Sequence, residues 1–194
     1  GLPTILITCA WLASEAATQD PPAPPGGFAI AKQLDIRIPL TGNSGTLMNA
    51  YYPRVTAPTT GWPVVVLIHG GGGNRNSPYI VPLQEDLAAA GFLALSYDTR
   101  GGGNAAKVLH MAELVVQAER TLGPLMDDSR LAMTGGSGGG RQTFWAAAWS
   151  GKTLPQTSPV ASKMPVLSAA IPDLQAMDGV EDNIPGGVMV RSSW

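Results

Sequence analysis

The apolar residues of the chain follow two kinds of strand pattern. Positions 34–40 alternate apolar and polar side chains, which predicts a strand with one buried and one wet face. After a turn at 41–45, positions 46–52 return as its antiparallel partner. Positions 64–68 are instead continuously apolar and β-branched, which is typical of a strand buried on both faces of a parallel sheet. Further buried strands are predicted at 92–97, 131–134 and 166–171.

Helical patterns separate these buried strands. Apolar residues near helical spacing predict helices between them, at 77–90, 105–122 and 141–149. A strand–helix alternation of this kind builds an open parallel sheet covered on both faces, and ligands bind at the carboxyl ends of its strands. The glycine-rich stretches 70–73, 101–103 and 135–140 each follow a strand, so they gather at that edge. The active site is therefore expected there.

The segment Gly135-Gly136-Ser137-Gly138-Gly139 has the Gly-x-Ser-x-Gly pattern of a nucleophile elbow. In such an elbow the serine lies in a strained conformation at a sharp strand-to-helix turn, where side chains on the flanking residues would collide with neighbours. The strand before and the helix after support this interpretation over a glycine-rich surface loop. A nucleotide-binding loop fits less well, because Arg141 stands at the last glycine position of Gly-x-Gly-x-x-Gly.

A serine hydrolase needs a nucleophile, a base, a group that orients the base, and donors for the oxyanion. Ser137 is the candidate nucleophile. The oxyanion donors are predicted to be the N–H of Gly138 and one N–H of the loop that begins at His69, with Gly71 favoured and Gly72 next. His69 lies inside this oxyanion signature and is expected to brace the loop rather than act as the base.

The base itself is missing from the expected place. In this fold the order along the chain is serine, acid, histidine, yet no histidine follows Ser137. His110 lies on a predicted helix and fits a surface or packing role. Asp173 and Asp178 follow the last strand and are possible acids, although their positions fit ordinary loop carboxylates better. The sequence thus predicts the front portion of a hydrolase, with the acid and histidine supplied by a segment held elsewhere or by a partner chain. A catalytically inactive remnant or a binding protein is the alternative.

Three segments carry a family resemblance: 128–139, 97–103 and 164–172. In this order they resemble the elbow, the Asp-x-Arg-Gly-x-Gly segment and the next strand of the Xaa-Pro dipeptidyl peptidase and cocaine esterase family of α/β-hydrolases. The resemblance implies an α/β-hydrolase fold, truncated after the strand that follows the elbow. It implies a serine enzyme that cleaves small-molecule esters or peptides without a cofactor or metal. The family often has an aromatic residue near the oxyanion loop, where this chain has glycine, so a backbone-only oxyanion hole is expected.

Asp98 and Arg100 stand at the end of the strand at 92–97, beside two of the glycine loops. Arg100 is expected to pair with a carboxylate or with loop carbonyls and so to support this edge rather than contact the substrate.

The composition of the first 27 residues differs from that of the rest of the chain. Residues 1–13 are almost wholly apolar and resemble the core of an export signal, with a first strand or a disordered end as alternatives; residues 18–27 form a Pro-rich linker. We therefore predict a signal-like segment and linker at 1–27, a hydrolase domain at 28–194, and export from the cytoplasm.

A net charge of -2 gives no reason to expect nucleic acid or an acidic membrane as partner, and the apolar run at 1–13 is too short to span a bilayer. A single cysteine excludes an internal disulfide. The oligomeric state stays open.

Overall fold

The centre of the molecule is a mixed β-sheet. The computed structural model describes residues 21–99 and 103–173, and within them the sheet has six strands in the order β1-β2-β4-β3-β5-β6. The strands are β1 (Ile30–Leu40), β2 (Asn43–Pro53), β3 (Trp62–Ile68), β4 (Leu93–Tyr97), β5 (Met126–Gly136) and β6 (Ala169–Asp173). The helices are α1 (Ile80–Ala89), α2 (Asn104–Leu122) and α3 (Gly138–Trp149).

The pairing of the strands confirms the predicted parallel sheet. Strands β4, β3, β5 and β6 are neighbours and run parallel, whereas β2 pairs antiparallel with both β1 and β4. The hairpin is tighter than predicted, because β2 begins at Asn43, directly after a turn at Thr41 and Gly42. The predicted right-handed strand–helix–strand alternation therefore gives a sheet whose four parallel strands end at one edge.

Successive side chains of a strand point to opposite faces, so the buried strand β3 supplies two separate cores. Val64, Val66 and Ile68 pack with side chains of α2 and α3, and Leu67 packs with Ile80 and Ala88 of α1. Helices consequently cover both faces of the sheet, as the continuous apolar run predicts.

Strand β1 departs from the predicted alternation at Leu34. The pairing register of β1 with β2 shifts between Gln33 and Ile36, and Asp35 inside this bulge has a φ of 57°. A bulge inserts one unpaired residue and re-aims the side chains before it. Leu34 is therefore 54% exposed, whereas Ile38 on the same strand is fully buried.

The last predicted strand, at 166–171, is confirmed as a parallel neighbour of β5, but its bounds are shifted and the predicted burial is wrong. Strand β6 begins three residues later, at Ala169, and continues through Pro172 to Asp173. Val166, which precedes β6, is 69% exposed, and Ile171 within β6 is 67% exposed. Among the described residues β6 has a neighbouring strand on only one side. A mostly apolar run indicates a strand but does not tell whether another element covers it.

Three predictions fall outside the described residues: the signal-like segment 1–13, Arg100, and Asp178 as a candidate acid. Export therefore stays a prediction. No helix in the described ranges is long and apolar enough to cross a membrane.

Candidate active site

Ser137 lies in the turn between β5, which ends at Gly136, and α3, which begins at Gly138. Its backbone has φ 54° and ψ −121°, a region that residues with a side chain rarely adopt and that is found at strained functional turns. The side chain is exposed. This confirms the strand-to-helix turn and the strained serine that the sequence predicts.

The glycines on either side of Ser137 are required by close contact with β3. A Cβ added to Gly135 would lie 2.5 Å from the Ile68 carbonyl oxygen, and one added to Gly139 would lie 2.0 Å from the same atom. Both distances are far below an ordinary van der Waals contact. The elbow therefore rests directly on the end of β3, and Gly139 faces protein backbone rather than space for a ligand phosphate.

The predicted oxyanion donors lie next to each other. Gly138 is the first residue of α3, so its N–H has no partner within the helix. A Cβ added to Gly138 would lie 3.4 Å from the backbone nitrogen of Gly71, and one added to Gly70 would lie 3.3 Å from the Cβ of Ser137. Within the described residues, the Gly71 N–H donates no hydrogen bond. Gly138 and Gly71 are thus brought together beside Ser137.

Gly72 shapes the loop rather than facing the serine. It has a φ of 75°, and the Gly73 N–H donates to the Gly70 carbonyl oxygen at 3.2 Å across it. This is the hydrogen bond of a type II turn, whose third residue needs a positive φ and hence glycine. Of the two predicted loop donors, the geometry favours Gly71.

His69 is held at both ring nitrogens. Its Nε2 lies 3.0 Å from the Thr99 backbone nitrogen, and its Nδ1 lies 2.7 Å from the Gly70 carbonyl oxygen. A backbone N–H can only donate and a carbonyl can only accept, so Nε2 is the acceptor and Nδ1 carries the proton. The buried ring joins the glycine loop to the end of β4. This arrangement agrees with the predicted bracing role and leaves no free ring nitrogen for Ser137.

Tyr79, at the start of α1, also contacts the glycine loop, and sequence reasoning missed it. Its hydroxyl accepts the Gly70 N–H at 2.9 Å, and a Cβ on Gly73 would lie 2.8 Å from the same oxygen. The glycine loop therefore has an aromatic neighbour in the fold, and the backbone-only oxyanion hole stays a prediction. No sequence signal pointed to Tyr79, because the fold alone returns the helix start to the loop.

Asp98 is bound to the far side of the glycine loop through Arg75. Its Oδ1 accepts the Arg75 backbone N–H at 3.0 Å, and its Oδ2 accepts from the Arg75 guanidinium at 2.5 Å. The same guanidinium also binds the carboxylate of Asp35 in β1. Sequence reasoning missed Arg75 and Asp35, which lie far apart along the chain.

The comparisons agree with the fold. A family model described as alpha/beta hydrolase fold matches residues 63–157. Esterase B from Lactobacillus rhamnosis shares 18% identity, with a TM-score of 0.56 over 73% of this chain and 48% of that chain. Thermogutta terrifontis esterase 2, in a structure phosphonylated by cyclosarin, shares 21% identity, with a TM-score of 0.51 over 73% of this chain and 54% of that chain. The chain has the α/β-hydrolase fold.

The similarity covers only part of these α/β-hydrolases. For brefeldin A esterase, a bacterial homologue of human hormone sensitive lipase, the identity is 21% and the TM-score 0.49 over 60% of this chain, and the match covers 34% of that chain. A search of curated protein sequences gives no match.

An α/β-hydrolase serine works with a histidine base, and the histidines of this sequence are His69 and His110. The Nε2 of His110 donates to the Thr41 carbonyl oxygen at 3.1 Å, which ties α2 to the β1–β2 turn and fits the packing role predicted for it. Asp173 ends β6 with its backbone in register with Gly136. Among the described residues, no group of three or more His, Cys, Asp or Glu side chains could hold a metal ion.

Proposed function

We propose that this chain carries the nucleophile and oxyanion hole of a serine hydrolase that cleaves carboxylic esters of small molecules. The observation that carries the proposal is the position of Ser137, exposed in a strained turn beside Gly138 and Gly71, whose N–H groups donate no hydrogen bond to any described residue. Ester bonds are chosen because the similar solved structures named above are esterases. Amide or peptide bonds are the alternative that the resemblance to Xaa-Pro dipeptidyl peptidases brings.

In the proposed reaction the Ser137 Oγ attacks the ester carbonyl carbon while a base takes the hydroxyl proton. The carbonyl oxygen becomes an oxyanion and accepts hydrogen bonds from the Gly138 and Gly71 N–H groups. The positive end of the α3 dipole favours the same charge. The bond to the alkoxy oxygen then breaks, the alcohol leaves with the proton from the base, and water hydrolyses the acyl-enzyme by the same steps in turn.

We place the base outside the residues of this sequence, in further chain or in a partner. The support for this is chemical: both ring nitrogens of His69 are occupied by Thr99 and Gly70, and His110 lies on α2 against the hairpin turn. The same observation keeps a non-catalytic binding protein as the second candidate. Without a base, the remaining oxyanion hole and binding supply only about 10³–10⁴-fold acceleration over water, so this chain alone should cleave activated aryl esters slowly.

The test is labelling of Ser137 by a fluorophosphonate, followed over hours by intact mass. The serine oxygen forms a bond to phosphorus, fluoride leaves, and the proton passes to solvent or to a base. We expect the chain to be labelled, and labelling to disappear in Ser137→Ala. The matched control is Ser168→Ala, because Ser168 is another exposed serine that lies away from the elbow.

Labelling that persists in Ser137→Ala would contradict the assignment of the nucleophile. A folded chain that takes no label at all would favour the binding protein.

A further inference from the structure

A cluster of charged side chains fastens the far end of the glycine loop. We call it the Arg75 clasp, and it consists of Arg75, Asp98 and Asp35. The Arg75 guanidinium bridges the two carboxylates, and its side chain is only 12% exposed. Asp98 accepts from both the guanidinium and the backbone N–H of Arg75, so one carboxylate fixes the arginine at two points. A planar guanidinium suits such paired contacts better than an ammonium does.

The clasp and His69 hold the two ends of the same loop. His69 begins the loop and is bound by Thr99; Arg75 follows Gly73 by two residues and is bound by Asp98. Because Asp98 and Thr99 are consecutive, the end of β4 holds both sides of the loop that carries the Gly71 N–H. The Ser96 hydroxyl, also on β4, donates to the Arg75 carbonyl oxygen at 3.1 Å.

The clasp keeps one feature that stability alone does not favour. The Nε of Arg75 is buried and finds no hydrogen-bond partner in the described part of the chain. An unpaired buried polar group of this kind is uncommon in folded proteins and calls for an explanation, such as a functional role of its residue.

We propose that Arg75 is a positioning residue for the oxyanion hole: it sets the distance of the Gly71 N–H from Ser137 by tying the loop to β4 and β1. This inference rests on the proposed function. A displacement of about 1 Å at a reacting centre lowers a rate by about 100-fold. Arg75→Met should therefore slow phosphonylation of Ser137 about 100-fold. In the enzyme supplied with its base, a positioning role predicts a lower kcat with little change in KM.

The control is Arg130→Met. Arg130 also pairs with a carboxylate, that of Asp127 at 2.6 Å, but at the start of β5, the opposite end of the strand from Ser137. Each variant removes an arginine that is mostly buried and pairs with a carboxylate, Arg75 with two and Arg130 with Asp127, and only Arg75→Met should slow the reaction of Ser137. Arg75→Lys should recover part of the rate, because an ammonium can keep one carboxylate but not the bridge between two.

Two readouts on the full chain separate the possible results: the fluorophosphonate rate, and amide hydrogen exchange of the loop 69–75. We expect Arg75→Met, unlike Arg130→Met, to raise exchange in the loop and slow labelling while the chain stays folded. Unchanged loop exchange would overturn the proposal whatever the labelling does. Raised exchange with an unchanged labelling rate would also overturn it, while the proposed function would stand. If wild type takes no label, the proposed function fails and the positioning role fails with it.

Discussion

Substitution of Gly139 by alanine should push the elbow away from β3 and destabilise the fold. The added Cβ would lie 2.0 Å from the Ile68 carbonyl oxygen and 2.8 Å from that of His69, both main-chain atoms of the strand end. Neither atom can rotate away, so the elbow or the strand must shift by about 1 Å to restore contact, and overpacking of this kind costs about 1–3 kcal/mol or more. We expect a loss of about 3 kcal/mol in the free energy of unfolding, at the upper end of this range, because backbone rather than side chain is displaced.

For a chain of this length, that loss corresponds to a fall in melting temperature of about 6–12 °C, measured by circular dichroism. Gly71→Ala is the matched control: no described atom lies within 4 Å of its added Cβ, and its φ is not positive. It should change the free energy of unfolding by less than about 0.5 kcal/mol. A melting temperature of Gly139→Ala within about 2 °C of wild type would refute the direct contact between elbow and β3.

Two further predictions concern buried polar groups. Burial of the Asp127 carboxyl raises its pKa, but hydrogen bonds from Ser129 and Arg130 and the charge of Arg130 outweigh this and hold the pKa below its ordinary value of 3.8. The ionised carboxylate therefore stabilises the fold above pH 3.8, and this stabilisation is lost as the pH falls through the lowered pKa. In urea unfolding, the difference in free energy of unfolding between wild type and Asp127→Asn should therefore shrink at low pH. A difference that grows on acidification would contradict this prediction. The Tyr97 hydroxyl is buried without a hydrogen-bond partner among the described residues, and burial raises its pKa. Tyr97→Phe should leave the free energy of unfolding unchanged or raise it by up to about 1 kcal/mol, since no hydrogen bond is lost; a loss of more than about 1 kcal/mol would reveal a partner for the hydroxyl.

Local sequence patterns were sufficient for most of the fold. The continuous apolar run at 64–68 indicated a buried parallel strand, and the helical spacing at 105–122 indicated α2, because both patterns depend on neighbouring residues alone. The elbow could also be predicted from the sequence, because the five small residues around Ser137 are compatible with few other local structures. Where burial depended on distant elements, the same reasoning failed: the bulge at Asp35 exposed Leu34, and β6 lies at the edge of the described sheet.

The candidate site divides in the same way. Ser137, Gly138 and Gly71 could be named from sequence, because backbone donors are recognised by glycine and by their place after a strand. The groups that hold them could not: Tyr79 reaches Gly70 from a helix start, and Arg75 joins Asp98 to Asp35 across 23 and 40 positions of the chain. Such contacts form between residues that only the folded sheet brings together, and a linear pattern contains no record of their distance. The sequence alone therefore named the candidate atoms for the proposed chemistry, and the tertiary structure decided what keeps them in place.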